Sequence, residues 1–158
     1  MDKRKIIRYS LLLLIAATLI FIFTNSLLPP EVSSEESDAV SEILEVILPE
    51  DTEIQEFVIG NIRKIAHFTE FAVLGAEIFA LLALESLSIG KCGMYTSFGS
   101  LFLAFIDETL QIFSKRGPTI LDVWIDFLGA ACSILLGLII LFLINFFSHR
   151  KEKGDTNG

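Results

Sequence analysis

The chain has 158 residues, 53% of them hydrophobic, with a mean hydropathy of +0.64. That composition belongs to a polytopic membrane protein rather than a soluble domain. The formal charge of −8 argues against a nucleic-acid partner, because phosphate binding wants a basic face.

A bilayer core takes about 20 apolar residues per helix, and four stretches reach that length: about residues 9–28, 65–84, 93–113 and 121–147. The apolar runs do not alternate with period two, so a strand architecture fits poorly. The expected fold is all-α: a single membrane domain over residues 1–158, a bundle of about four transmembrane helices.

The first span follows Lys3, Arg4, Lys5 and Arg8. Its apolar run is longer than a signal peptide's, and no A-x-A-like cleavage site follows, so a retained anchor is expected. Thr24-Asn25-Ser26 and Pro29-Pro30 end it.

Residues 31–61 form an acidic segment, with ten of the 20 acids between Glu31 and Glu56. Val40, Ile43, Leu44 and Ile47 recur at helical spacing, with Ser33 or Ser34 as N-cap and Pro49 as stop. A second pattern, Ile54, Phe57, Val58, Ile62 and Ile65, starts after Asp51-Thr52 and runs into the next span. The segment reads as an outer amphipathic helical region that covers the bundle and leaves its acids in water. A lid over a polar site is the sharper, compatible reading.

The second span opens with NIRKIAHFTEFAVLG. Arg63 and His67 are i,i+4, while Lys64–His67 and His67–Glu70 are i,i+3, so all can share one helix face. Glu77 lies two turns further on, about 10 Å deeper at helical rise. A histidine near a membrane surface is usually an interfacial polar residue. With Lys64 and Glu70 beside it, a functional site and a structural polar knot are equally good readings.

Leu87 to Lys91 reads as a short inner turn, with Gly90 and Gly93 as breakers. The third span ends in Asp107, Glu108 and Gln111. Gln111 can orient either acid, and two adjacent acids are expected to split, one inward and one toward the interface. Cys92 and Cys132 sit too far apart for a disulfide and read as packed thiols.

After Gly117-Pro118, Thr119 and Asp122 match a capping box, which gives Asp122 a purely structural reading. That reading does not extend to Asp126, one turn deeper on the same face. Gly129, Ser133 and Gly137 then continue a small-residue stripe suited to close helix contact. Phe127 to Phe147 carries no charge over 21 residues.

Eight Lys and Arg residues fall on one side of a four-span arrangement, and Arg63, Lys64, Lys115 and Arg116 on the other. The bias predicts cytoplasmic termini, with the acidic segment and the 107–126 hairpin facing outward. In this arrangement His67, Glu70, Asp107, Glu108, Gln111, Arg116, Asp122 and Asp126 lie at one depth, near the outer boundary. Three helix ends supply them.

Those residues carry a resemblance. RKIAHFTEFAVLG followed by DETLQIFSKRGPTILDVWIDFLGA is similar to the VanZ-like family of small bacterial membrane proteins. The matching positions are Arg63-Lys64, His67, Glu70-Phe71, Leu74-Gly75, Asp107-Glu108, Gln111, Arg116, Asp122 and Gly129-Ala130. One position departs, since Asp126 stands where the family pattern has Asn, and Glu77 lies outside the pattern. The resemblance implies a multi-pass protein of a Gram-positive plasma membrane, with a role in the cell envelope. It links the chain to reduced susceptibility to teicoplanin, a lipid-tailed glycopeptide.

Three mechanisms fit the residues. Lys64, His67 and Arg116 would hold an anionic lipid head group, a lipid-linked wall precursor or the lipoglycopeptide itself, with Glu70, Asp107, Glu108, Gln111, Asp122 and Asp126 completing the site. Alternatively, His67, Glu70, Asp107, Glu108, Asp122 and Asp126 would bind a metal and activate water against a lipid-linked phosphate, although no H-E-x-x-H spacing is present. Thirdly, Glu77 would extend the site inward as a proton or ion path. Binding ranks first, catalysis second and transport third. The residues alone name no cofactor.

Overall fold

A computed structural model describes residues 2–47, 53–117 and 119–155, with no side-chain description at 145 or from 148 onward. All of its elements are helices: α1 (Lys3–Leu27), α2 (Pro30–Ile47), α3 (Glu53–Gly60), α4 (Ile62–Leu84), α5 (Ile89–Phe113) and α6 (Ile120–Asp155). Four helices are long and apolar enough to cross a membrane: α1, α4, α5 and residues Ile120–Ile144 of α6. Most of their large apolar side chains, Phe98, Phe102, Trp124 and Phe142 among them, are exposed. They face the surroundings of the bundle, where lipid replaces water as the solvent.

Short connections make α4, α5 and α6 antiparallel neighbours, and α1 packs on α4 and α5. At one end, Arg4 Nη2 donates to the Leu84 carbonyl and Arg8 pairs with Glu85 at 3.2 Å. At the other end, Ser114 Oγ donates to the Ser26 carbonyl at 2.9 Å. The α1 terminus, the start of α4 and the α5–α6 hairpin therefore share one end of the bundle.

The small-residue stripe on α6 makes the tightest seam. A Cβ at Gly129 would overlap the Phe68 carbonyl oxygen, and one at Gly75 would stand 2.9 Å from Ala130 Cα. Ser133 Oγ donates to the Ala72 carbonyl within the same seam. Helices can approach this closely only where side chains are missing.

Local details differ from the sequence reading. Helix α2 starts at Pro30, which suits the first helical turn because proline has no N–H to leave unpaired. Ser33 and Ser34 thus lie inside the helix, where Ser34 Oγ donates to the Glu31 carbonyl, rather than capping it. Pro49 and Asp51-Thr52 lie outside the described residues. The second apolar pattern does not run unbroken into the span: it breaks between Gly60 and Asn61, and Asn61 Nδ2 donates back to the Phe57 carbonyl at 2.9 Å. Asparagine offers the backbone this local alternative to continued helix. Val40, Ile43 and Ile47 stay exposed rather than covering the bundle. Cys92 is buried, but Cys132 is an exposed free thiol, not a packed one.

Helix α5 ends in a Schellman arrangement. The Arg116 N–H reaches the Gln111 carbonyl (3.1 Å) and the Lys115 N–H the Ile112 carbonyl (3.2 Å), with Lys115 at φ 59°. Glycine usually takes that left-handed position. Here Lys115 takes it, and the tight reversal turns Arg116 back into the bundle.

Candidate functional site

Gln111 organises the hairpin end. Its side-chain nitrogen donates to Asp107 Oδ2 at 3.2 Å and to Glu108 Oε1 at 2.7 Å. Its oxygen accepts from Arg63 Nη2 at 2.7 Å. One buried amide thus joins two acids on its own helix to a cation on α4. The i,i+3 and i,i+4 spacings allow both bonds at once.

The two adjacent acids do not split between inside and interface. Asp107 is 0% exposed and Glu108 5%. Asp107 Oδ1 accepts from buried Ser26 Oγ on α1. Glu108 Oε2 accepts the Thr119 backbone N–H at 3.1 Å. The expected capping box is therefore only half formed at Asp122: Thr119 Oγ1 accepts the Asp122 N–H at 3.2 Å, but Glu108 takes the N–H an acid at Asp122 would return to. The Asp122 carboxylate instead lines a cavity.

His67 does not meet Glu70. Its Nδ1 faces Asp107 Oδ2 at 3.6 Å and Asp126 Oδ1 at 3.5 Å. Both contacts are too long for good hydrogen bonds. His67 Nδ1 and both Asp126 carboxylate oxygens are buried with no hydrogen-bond partner among the described residues. One ligand atom from each of His67, Asp107 and Asp126 lies within 4.8 Å of the others.

Glu70 turns to α1, where Asn25 Nδ2 donates to it at 3.2 Å. Glu77 does the same seven residues deeper, accepting from Thr18 Oγ1 at 3.1 Å. Two turns separate the partners on each antiparallel helix, so the pairs form a repeated polar clasp between α1 and α4. Ile22, Phe71 and Leu74, all 0% exposed, pack in the same core cluster between those two levels. This apolar layer separates Glu77 from the hairpin end and interrupts the inward path considered from sequence.

Arg116 serves the protein itself. Its Nη1 donates to the Asn25 carbonyl and its Nη2 to Ser33 Oγ, both at 2.8 Å, which ties the hairpin to the end of α1 and the start of α2. Burial, and secondarily the charge of Arg63, lower its pKa from the usual arginine value.

A cavity of about 360 Å³ opens between the start of α2, the start of α4 and the start of α6. Arg63, Lys64, His67, Asp122, Ser37 and Asn61 are among its lining. A second cavity of about 220 Å³ lies beside it, with His67, Glu70, Arg116 and Glu36 in its wall. His67 borders both. Helix α2 is thus a wall of the site, which favours the lid over the simple cover.

Ser26, Asn25 and Ser33 were not singled out in the sequence as site residues. For Asn25 and Ser26 the signal was present in Thr24-Asn25-Ser26, the polar run that closes an apolar span, but their partners on α4 and α5 were not visible. Ser33 read only as a helix N-cap.

The VanZ/LLP1 family pattern matches residues 11–145. The chain belongs to the VanZ/LLP1 family. The match takes in α4, α5, the whole hairpin end, most of α1 and the apolar part of α6. No curated protein and no solved structure matches the chain.

Proposed function

We propose that this VanZ/LLP1 protein holds an anionic head group, from a lipid or a lipid-linked cell-wall precursor, in the cavity between α2, α4 and α6. The observation that carries the reading is the pair Arg63-Lys64. Both side chains are exposed at the rim of a 360 Å³ cavity whose wall also holds His67, Ser33 and Ser37. Lys64 supplies a mobile point charge and Arg63 a planar donor set, the two chemistries that phosphate recognition uses. Arg116, whose two terminal nitrogens are held by the Asn25 carbonyl and Ser33 Oγ, positions the α2 wall instead of meeting the ligand.

Family membership supports an envelope role at the outer face of a Gram-positive plasma membrane. A lipid-tailed antibiotic reaches its target through that surface, each buried CH₂ adding roughly 0.8 kcal/mol to its partitioning. A protein that sequesters anionic head groups there lowers the effect of teicoplanin more than that of an untailed glycopeptide.

The test is a titration of the purified protein in neutral detergent with a polyprenyl diphosphate. Saturable binding is expected, weakened about tenfold or more by Lys64→Gln or Arg63→Gln, as loss of one charge-assisted bond implies. Overproduction in a susceptible host should raise teicoplanin tolerance above vancomycin tolerance, and Lys64→Gln should remove the difference. Binding that ignores both substitutions would overturn the reading. Release of phosphate during the titration would replace binding by hydrolysis.

A further inference from the structure

His67, Asp107 and Asp126 come from three different helices and meet at a point where the protein leaves polar atoms unpaired. Asp126 is 0% exposed, and neither of its oxygens has a hydrogen-bond partner among the described residues. Two carboxylates and an imidazole facing one another in a membrane bundle need something between them, since a buried charge without a partner is costly.

Distance distinguishes the candidates. A proton shared between nitrogen and oxygen holds them about 2.7–3.2 Å apart, whereas His67 Nδ1 stands 3.6 and 3.5 Å from its two acids. Zinc-type bonds of about 2.1 Å in tetrahedral array place neighbouring ligand atoms about 3.4 Å apart. The two histidine edges match that figure. The carboxylate-to-carboxylate edge lies within 4.8 Å, and an ion between two anions draws it in.

The surroundings are arranged as ligand supports. Ser26 fixes Asp107 Oδ1, and Gln111 steadies Oδ2, the oxygen that faces His67. Outer hydrogen bonds of this kind orient metal-binding carboxylates.

We propose that His67, Asp107 and Asp126 bind one divalent transition-metal ion of zinc type, leaving a coordination position for water or a ligand oxygen. Imidazole with carboxylate selects such an ion over magnesium, which prefers an all-oxygen octahedron. The site stands on its own geometry. His67 borders both cavities, so the ion would lend positive charge beside the wall that holds Asp38 and Asp122.

The experiment uses tag-free protein in neutral detergent, stripped with a chelator and then titrated with Zn²⁺ or Mg²⁺ alone. One Zn²⁺ per chain is expected, bound at least a hundredfold more tightly than Mg²⁺. Asp126→Asn and His67→Gln should each weaken it about a hundredfold or more, the upper range seen for outer-shell changes alone. Glu77→Gln, on the far side of the Phe71–Leu74 layer, should leave it unchanged. Co²⁺ added to the unaltered protein should give the intense visible absorption of a tetrahedral site, a readout that survives if a variant misfolds. Absence of saturable Zn²⁺ binding and of that absorption in the unaltered protein would overturn the proposal, as would Zn²⁺ binding untouched by both ligand substitutions. No phosphate ligand is present in the titration, so failure here leaves the head-group reading to its own test.

Discussion

Glu108 on α5 accepts the backbone N–H of Thr119 at 3.1 Å, across the turn that joins α5 to α6. This bond sets the roles of two acids that look alike in the sequence. Glu108 holds the hairpin closed, while the Asp122 carboxylate is left to the cavity. Glu108→Ala removes the acceptor of this part-buried N–H and of the buried Gln111 Nε2, and should cost about 1–3 kcal/mol of stability. Asp122→Asn should cost much less, because the bond that Asp122 makes to Thr119 uses its backbone. Thermal unfolding in detergent compares the two. Equal losses would return Asp122 to the role of a cap.

Arg116 makes a second prediction about the α2 wall. Its two charged donors hold the Asn25 carbonyl and Ser33 Oγ at 2.8 Å, and bonds from charged groups contribute about 1.5–3 kcal/mol each. Arg116→Gln should release the first turns of α2 and leave the α4–α6 seam intact. Hydrogen exchange would then rise over residues 30–37 without a matching rise over residues 68–75. A uniform rise along the chain would mean that Arg116 supports the whole bundle rather than this wall.

The transmembrane helices were legible because length and hydropathy alone decide them: a charge-free run such as Phe127–Phe147 has few other fates. A close helix contact by α6 was legible as well, since Gly129, Ser133 and Gly137 repeat at helical spacing, although α4 as its partner was not. Nor was the choice of partners among the side chains. His67 has Glu70 one turn away on its own helix, but it faces Asp107 and Asp126 on two others, while Glu70 turns to Asn25 on α1. Spacing along one helix describes only the neighbours that a residue has available there. Which of them it meets depends on helix rotation, and the α4–α6 seam sets that rotation through backbone contacts that a sequence pattern only outlines.

That seam gives a paired stability test. At Gly129 an added methyl would meet the Phe68 carbonyl, whereas at Gly99 it would meet nothing within 4 Å. Gly129→Ala should therefore destabilise by about 1–3 kcal/mol, the usual cost of overpacking a tight contact. Gly99→Ala should be neutral or stabilise by up to about 1 kcal/mol, because alanine is the better helix former. Unfolding curves of the two single variants check the contrast, and similar values would mean that α4 and α6 are less closely apposed.

The last prediction concerns direction across the membrane, on which the outward-facing role depends. Arg4 and Arg8 meet Leu84 and Glu85 at one end of the bundle, and Ser26, Ser114 and Arg116 meet at the other. The two ends are therefore expected on opposite sides, and the Lys/Arg bias predicts the hairpin end outside. A cysteine at exposed Glu35, in a Cys132→Ser background that removes the exposed native thiol, should react in intact cells with a membrane-impermeant maleimide. A cysteine at exposed Ser88, in the turn before α5, should react only after lysis. The reverse pattern would put the cavity on the cytoplasmic side. It would leave the His67–Asp107–Asp126 geometry untouched and remove the envelope role.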